Sequence, residues 1–183
     1  MQIRIAESDE NKKACLDLRH QVLIDELQLP GNIVLEPEED NEVLFIGTEG
    51  EQPVCGGRVI SNGPEVKVGH IAVVSKWRGQ GIGARMLYFI EDWARGKFRR
   101  IVVSVPKAVE HFFIKHGYST TGESVEKAGV EFVTLQLVMA LGEPAAVQCR
   151  HCGEWTVPLS PSLAAFSCSN CGAELQRGGP ALV

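Results

Sequence analysis

A glycine-rich turn, Arg78-Gly79-Gln80-Gly81-Ile82-Gly83, stands between the apolar run Ile71 to Val74 and a helix-like stretch that continues to about Lys97. A strand must hand over to a helix at this point, which commits the middle of the chain to α/β architecture. Glycines at 79, 81 and 83 remove side chains that would keep an anion from the backbone, and the amides at a helix N-terminus offer it partial positive charge. Arg78 adds a forked cation. The pattern predicts a cradle for a diphosphate, although loops before helices also use glycine for steric reasons alone.

A chain of 183 residues with 44% apolar content has room for one core of about 140 residues and a short appendage. The net charge of -5 and pI near 5.6 argue against a general nucleic-acid binder, because counterion release needs clustered lysine and arginine. Cationic substrates fit the acidic balance. No apolar run is long enough to span a bilayer, and Met1 to Ile5 reads as the start of a strand without the apolar core of a signal peptide, so a cytoplasmic protein is expected.

The appendage has its own signature. Cys149, Cys152, Cys168 and Cys171 form two CxxC pairs, each followed directly by glycine, Gly153 and Gly172. Two residues between thiolates let both sulfurs of a tight turn reach one tetrahedral ion about 2.3 Å away, and the glycine frees the backbone for the turn. The spacing predicts a structural Zn2+ held by all four thiolates, with no open position for catalysis. Disulfides are disfavoured by the expected compartment, and a redox CxxC needs no matched second pair.

Gln2 to Glu7 alternates as a strand, and Ser8 caps a helix with Asp9 and Glu10 in its first turn. That helix is expected to run to about Leu27, with Ala14, Leu18 and Val22 facing the core beside Cys15 and Leu23. After the break at Pro30-Gly31 comes an acidic loop holding Glu36, Glu38, Glu39, Asp40 and Glu42. Val43 to Gly47 and Val54 to Ile60 read as a hairpin, followed by a strand at Val66 to Val74, a helix from Gln80 to about Lys97 and a buried strand at Arg100 to Val105. Lys107 to His116 fits a short helix ended by Gly117, and Tyr118 to Glu123 with Val130 to Ala140 closes the domain as an antiparallel pair. Residues 1–141 form the main domain, 142–148 have linker composition, and 149–183 hold the cysteines and a tail.

The run from Val66 to Leu141 resembles the GNAT N-acetyltransferase superfamily, whose apolar strand ends in Val before Arg/Gln-x-x-Gly-x-Gly/Ala at a helix start; Arg78, Gly81 and Gly83 match it. The family's short helix, Ala-x-x-x-Tyr-x-x-x-Gly-Phe, has Val109, Phe113, Gly117 and Tyr118 in the corresponding places. Leu18 to Glu26 with the acidic loop, and Glu126 to Val130, are similar to the ElaA-like branch and more distantly to acyl-homoserine lactone synthases. The resemblance implies a mixed, mostly antiparallel sheet flanked by helices, and acetyl-CoA or another acyl-CoA as cosubstrate. It implies that the main chain of Ile71 and Val73, with Ala72 between them, pairs with pantetheine amides, and that Arg78, Gly79, Gln80, Gly81, Ile82, Gly83 and Ala84 hold the pyrophosphate. Residues 149 to 171 resemble a zinc ribbon.

Acyl transfer needs a neutral amine, a polarised thioester carbonyl and a proton for the departing thiolate. In the family the tyrosine of the short helix commonly supplies that proton, and Phe113 has none to give. Tyr118, His111 and His116 are the candidate acids, with helix capping as the structural reading of His116 and core packing as that of Tyr118. For a base the ElaA-like pattern has Glu where Gly69 stands, which leaves His70 as candidate and Glu123, Glu126 and Glu131 as runners-up. Glu39 and Asp40 in the acidic loop would attract an amine, or merely form a solvated loop. Arg19 reads either as a substrate anchor or as a structural ion pair, and Trp77 and Trp93 as packing residues. The expected activity is N-acyltransfer to a primary amine of a small molecule or protein; the alternative is a non-catalytic acyl-CoA-binding or interaction module. Residues 142–183 are too poor in basic residues for nucleic acid, so the ribbon is expected to serve protein contact or a homodimer.

Overall fold

The computed structural model describes residues 1–31, 41–139, 147–149, 151–156, 165–168 and 170–176. Alternating residues make strand β1 at Gln2–Ile5. Ser8 then accepts from the Asn11 amide and caps α1, Asp9–His20, whose acidic first turn and basic last turn both complement the helix dipole. The expected single helix to Leu27 changes character on the way. Gln21–Glu26 is π-helical, closed by Leu27 N–H to the Val22 carbonyl at 3.1 Å.

Strands β2 (Glu42–Glu49), β3 (Gln52–Asn62) and β4 (Glu65–Val73) follow as a meander. Helix α2, Ile82–Ala94, leads to β5, Arg100–Pro106. A 3-10 turn at Lys107–Val109 opens α3, Glu110–Lys115, and the antiparallel pair β6 (Ser119–Lys127) and β7 (Val130–Val138) ends the domain. The sheet order is β1-β2-β3-β4-β5-β7-β6. Every pairing in it is antiparallel except β4 with β5, joined by the α2 crossover. The mostly antiparallel α/β expectation is met.

Alternate strand residues serve the two faces. Phe45, Val59, Val66, Val68, Ile101, Val103 and Leu135 pack with Met86, Leu87 and Ile90 of α2. On the other face, Leu44 and Ile46 meet Cys15, and Ala72 meets Leu18, Val22 and Leu23 of α1 and its π-helical end. Trp77 and Trp93 are half-buried against the α2-side core, as expected of packing residues. Burial raises the thiol pKa of Cys15, which donates to the Phe45 carbonyl at 3.2 Å, and pushes that of Cys55 up to about 11. Beyond the main sheet lie two hairpins, Val147–Gln148 (β8) with Trp155–Thr156 (β9) and Ala165–Ser167 (β10) with Glu174–Gln176 (β11). Among the described residues no helix is long and apolar enough to cross a membrane.

Candidate functional site

Parallel pairing of β4 with β5 extends only from Glu65↔Arg100 to Val68↔Val103, yet β4 continues to Val73 and β5 to Pro106. The strands part beyond Val68 and leave the Gly69 to Val73 edge of β4 open on the β5 side. Its pairing with β3 fixes which groups face the opening. Val74 N–H donates to the Val54 carbonyl at 3.0 Å, and Cys55↔Val73 and Gly56↔Ala72 are the next pairs in register. Because hydrogen-bonded and non-bonded pairs alternate along an antiparallel ladder, Val73 and then Ile71 turn N–H and C=O away from β3, into the gap.

A bulge in the β3–β4 ladder lies between Gly56 and Arg58, with His70 opposite it in left-handed backbone at φ 53°. It changes which face each β4 side chain serves: Val66 and Val68 pack toward α2, then Ile71 and Val73 do so, while Ala72 joins the α1 face. The sequence carries this signal, since the even-numbered apolar positions give way to odd ones across Gly69-His70. It was not part of the sequence reading.

At the end of the open edge the chain enters the glycine turn. Gly79 and Gly81 both have φ of 75°, and a Cβ on either would meet nothing within 4 Å. Their glycine is therefore dictated by left-handed backbone, and the space in front of them is open. Gly83 differs from the steric expectation: a Cβ there would make ordinary contacts, 3.8 Å from Val73 Cγ2 and 3.9 Å from Phe112 Cζ. The first bond of α2 runs from Arg85 N–H to the Gly81 carbonyl at 3.0 Å, and Gly81 gives no side-chain cap. The amides of Ile82, Gly83 and Ala84 precede that ladder and form an anion-binding terminus.

Arg78, the forked cation of the turn, is held on one edge. Its Nε donates to the Val73 carbonyl at 2.8 Å and its Nη2 to Glu26 Oε2 at 2.6 Å. Glu26, at the end of the π-helical turn, was missed by sequence reasoning, and no local pattern marks it.

The catalytic candidates separate by burial. Tyr118 is 3% exposed, packs edge-on against Phe113 and has its hydroxyl pKa raised well above the ordinary value by burial and then by Glu91. The burial matches a core position, and its candidacy as an acid stays an expectation. Phe113 is itself buried. His116 donates from Nδ1 to the Phe112 carbonyl at 2.6 Å and stacks on the Phe112 ring, as its capping reading requires. His70 stands at the bulge beside the open edge, 2.6 Å through Nδ1 from Arg19 Nη2. A guanidinium can only donate, so Nδ1 accepts and the ring proton lies on Nε2. With Nδ1 so engaged, His70 remains the catalytic candidate beside the open edge. Arg19 is 5% exposed and lies 3.8 Å from Glu42, whose carboxylate also forms an ion pair with Arg58 at 2.9 Å. The contact with Glu42 accords with the ion-pair reading of Arg19, and the anchor reading stays an expectation. Glu39 and Asp40 lie outside the described residues.

The four paired cysteines come together. Their sulfurs all lie within 4.8 Å of one another, with Cys149 to Cys171 and Cys152 to Cys168 each at 3.6 Å. Thiolates at about 2.3 Å from a tetrahedral ion stand roughly 3.8 Å apart, and a disulfide needs about 2.05 Å. The two knuckles repeat one another. Gly153 N–H bonds the Cys149 carbonyl at 2.8 Å and Gly172 N–H the Cys168 carbonyl at 3.0 Å, with both glycines left-handed. Main-chain amides of Cys171 and Asn170 hold the Cys168 thiol down to about 6.

The family model described as Acetyltransferase (GNAT) domain matches residues 24–139. Uncharacterized N-acetyltransferase YjcF of Bacillus subtilis is 25% identical over 124 residues, covering 67% of this chain and 89% of that protein. Among solved structures, a putative N-acetyltransferase from Lactobacillus plantarum superposes with a TM-score of 0.70 at 19% identity, covering 76% of this chain and 98% of that one. Escherichia coli ElaA gives a TM-score of 0.65 at 16% identity, with coverage of 74% and 97%.

Proposed function

Since this chain belongs to the GNAT acetyltransferase family, we propose that it transfers an acetyl group from acetyl-CoA to a primary amine of a small molecule or protein. The observation that carries this reading is the continuity of the open β4 edge with the amide-lined N-terminus of α2. Pantetheine takes the place of a missing strand, bonding the main chain of Ile71 and Val73 across Ala72. The pyrophosphate rests on the turn from Gly79 through Gln80 and Gly81 to Ile82, Gly83 and Ala84.

In the transfer the neutral amine nitrogen attacks the thioester carbonyl carbon, the C–S bond breaks with its electron pair on sulfur, and the nitrogen loses a proton to water. His70 Nε2–H serves as a donor to the carbonyl oxygen as charge develops there. No acid stands at Phe113. A thiol of pKa about 8.5 leaves readily as thiolate and is protonated by water, without the roughly hundredfold or greater gain of a positioned acid.

Acetyl-CoA is expected to raise the melting temperature, and one member of an amine panel to accelerate release of free thiol. CoA binding with no amine-dependent thiol release would instead establish the second reading, an acyl-CoA-binding module, which the apolar Phe113 and buried Tyr118 favour.

We further assign a structural Zn2+ to Cys149, Cys152, Cys168 and Cys171, on the strength of their sulfur spacing. Bound there, the ion supplies cross-linking and no reaction step, since four thiolates fill its tetrahedron. Residues 149–183 then form a unit distinct from the domain at 1–141, suited to protein contact or self-association. Reduced thiolates of this kind belong in the cytoplasm.

A further inference from the structure

The cradle's one arginine is held from two sides, and the way it is held leaves part of it on offer. Arg78 Nε and Nη2 form one edge of the guanidinium, and that edge is occupied by the Val73 carbonyl at 2.8 Å and Glu26 Oε2 at 2.6 Å. Nη1 and the second hydrogen of Nη2 make the other fork, the geometry that binds a phosphate in bidentate fashion. Among the described residues only Val73 and Glu26 bind the Arg78 side chain. The Val73 carbonyl lies on the open edge of β4, and Arg78 itself begins the turn to Gly81. The remaining fork is therefore fixed at the junction of the two parts of the cofactor groove.

Glu26 is firmly placed for this task. Its turn is π-helical, and Val22 and Leu23 pin that turn against Ala72 at the end of β4, beside the partly buried Val74. We propose that Glu26 is a positioning residue for acyl-CoA: it holds Arg78 so that the outer guanidinium fork meets the diphosphate. This rests on the acyl-CoA reading above. Glu26 touches no substrate atom; it acts by restraining a long side chain whose rotamer freedom would otherwise be lost on binding.

The test compares the wild-type chain, Glu26→Gln, Glu26→Ala, Arg78→Gln and the double variant, titrated calorimetrically with CoA and with S-acetylpantetheine, which lacks the diphosphate. Glu26→Ala should weaken CoA about tenfold, the scale of one charge-assisted bond. Glu26→Gln, whose amide oxygen still accepts from Nη2, should stay within about twofold of wild type by the same reasoning. Adding Arg78→Gln to Glu26→Ala should cost much less than Arg78→Gln does alone, because the two act as one unit. S-acetylpantetheine should not distinguish Glu26→Ala from wild type. Unchanged or tighter CoA binding by Glu26→Ala, or an equal loss with S-acetylpantetheine, overturns the proposal. Should Glu26→Ala fail to fold, Glu26→Asp replaces it with the same expectations, since its shorter reach breaks the bond to Nη2. A wild-type chain that binds no CoA overturns the cofactor reading along with it.

Discussion

Gly81 before α2 and Gly172 after the second cysteine pair both hold left-handed backbone, at φ of 75° and 72°, and both help gather main-chain amides around negative charge. At Gly81 a Cβ would meet nothing within 4 Å and no side chain caps the helix, and on the reading proposed above the amides of Ile82, Gly83 and Ala84 serve a charge that arrives and departs with a ligand. At Gly172 the neighbouring amides already face a sulfur of the same chain, and Cys168 is acidified by them to about 6. One local device thus serves two ends: reversible capture where the anion is foreign, and permanent fixation where it is built in. What separates them is whether the chain supplies its own negative charge.

If that distinction holds, the largest effect comes from removing metal. A strong chelator should unfold the knuckles at a cost on the order of 10 kcal/mol, seen as collapse of the Cys149 to Gln176 amide resonances, while the acetyl-CoA-induced rise in melting temperature persists. Elemental analysis before chelation should find one zinc per chain. Next is a buried ion pair: Glu42→Ala removes the carboxylate that lies 2.9 Å from Arg58 and should cost roughly 3 kcal/mol in urea unfolding, with zinc content unchanged. Loss of zinc on that substitution would show that the two regions are not independent.

A matched pair of substitutions sharpens the contrast further. Gly81→Val puts a β-branched residue in left-handed backbone, costs roughly 1–2 kcal/mol, and should abolish the CoA-induced stabilisation. Gly172→Val should carry a similar strain but lower zinc affinity and spare the CoA response. The smallest effect is spectroscopic and confined to one region, since Tyr88 and Tyr118 are the only tyrosines. Burial raises both hydroxyls, Tyr118 well above the usual value. With the folded-state pKa the higher, their contribution to stability is complete below about pH 10 and fades as pH climbs through the folded values. Phenolate absorbance should therefore lag that of a free tyrosine, with Tyr118 ionising only as the domain unfolds.

Both turns were legible from the sequence because each is local. Two residues between cysteines, or glycines spaced through a strand-to-helix junction, specify a backbone path over a few positions. Side-chain partners obey no such rule: Arg78 meets Glu26 across 52 positions and Arg19 meets His70 across 51. Those pairings hold Arg78 on one edge, engage His70 at Nδ1 and place Arg19 beside Glu42 in the interior. The π-helical turn escaped because its apolar spacing over Val22 and Leu23 reads as ordinary helix, and only the long Leu27-to-Val22 bond reveals it. Tyr118 carries both a packing and a catalytic reading, and its depth accords with the first.

The chain's thiols also shape how its activity must be watched. Colorimetric reagents that count liberated coenzyme by disulfide exchange respond to any accessible thiolate. Cys15 and Cys55 are silent toward them, being buried and hard to ionise, whereas Cys152 and Cys171 are exposed and shielded only when a metal claims them. If the four thiolates hold zinc as proposed, preparations stripped of it will show a burst of false turnover before any amine is added, and the size of that burst will track the metal occupancy of the sample.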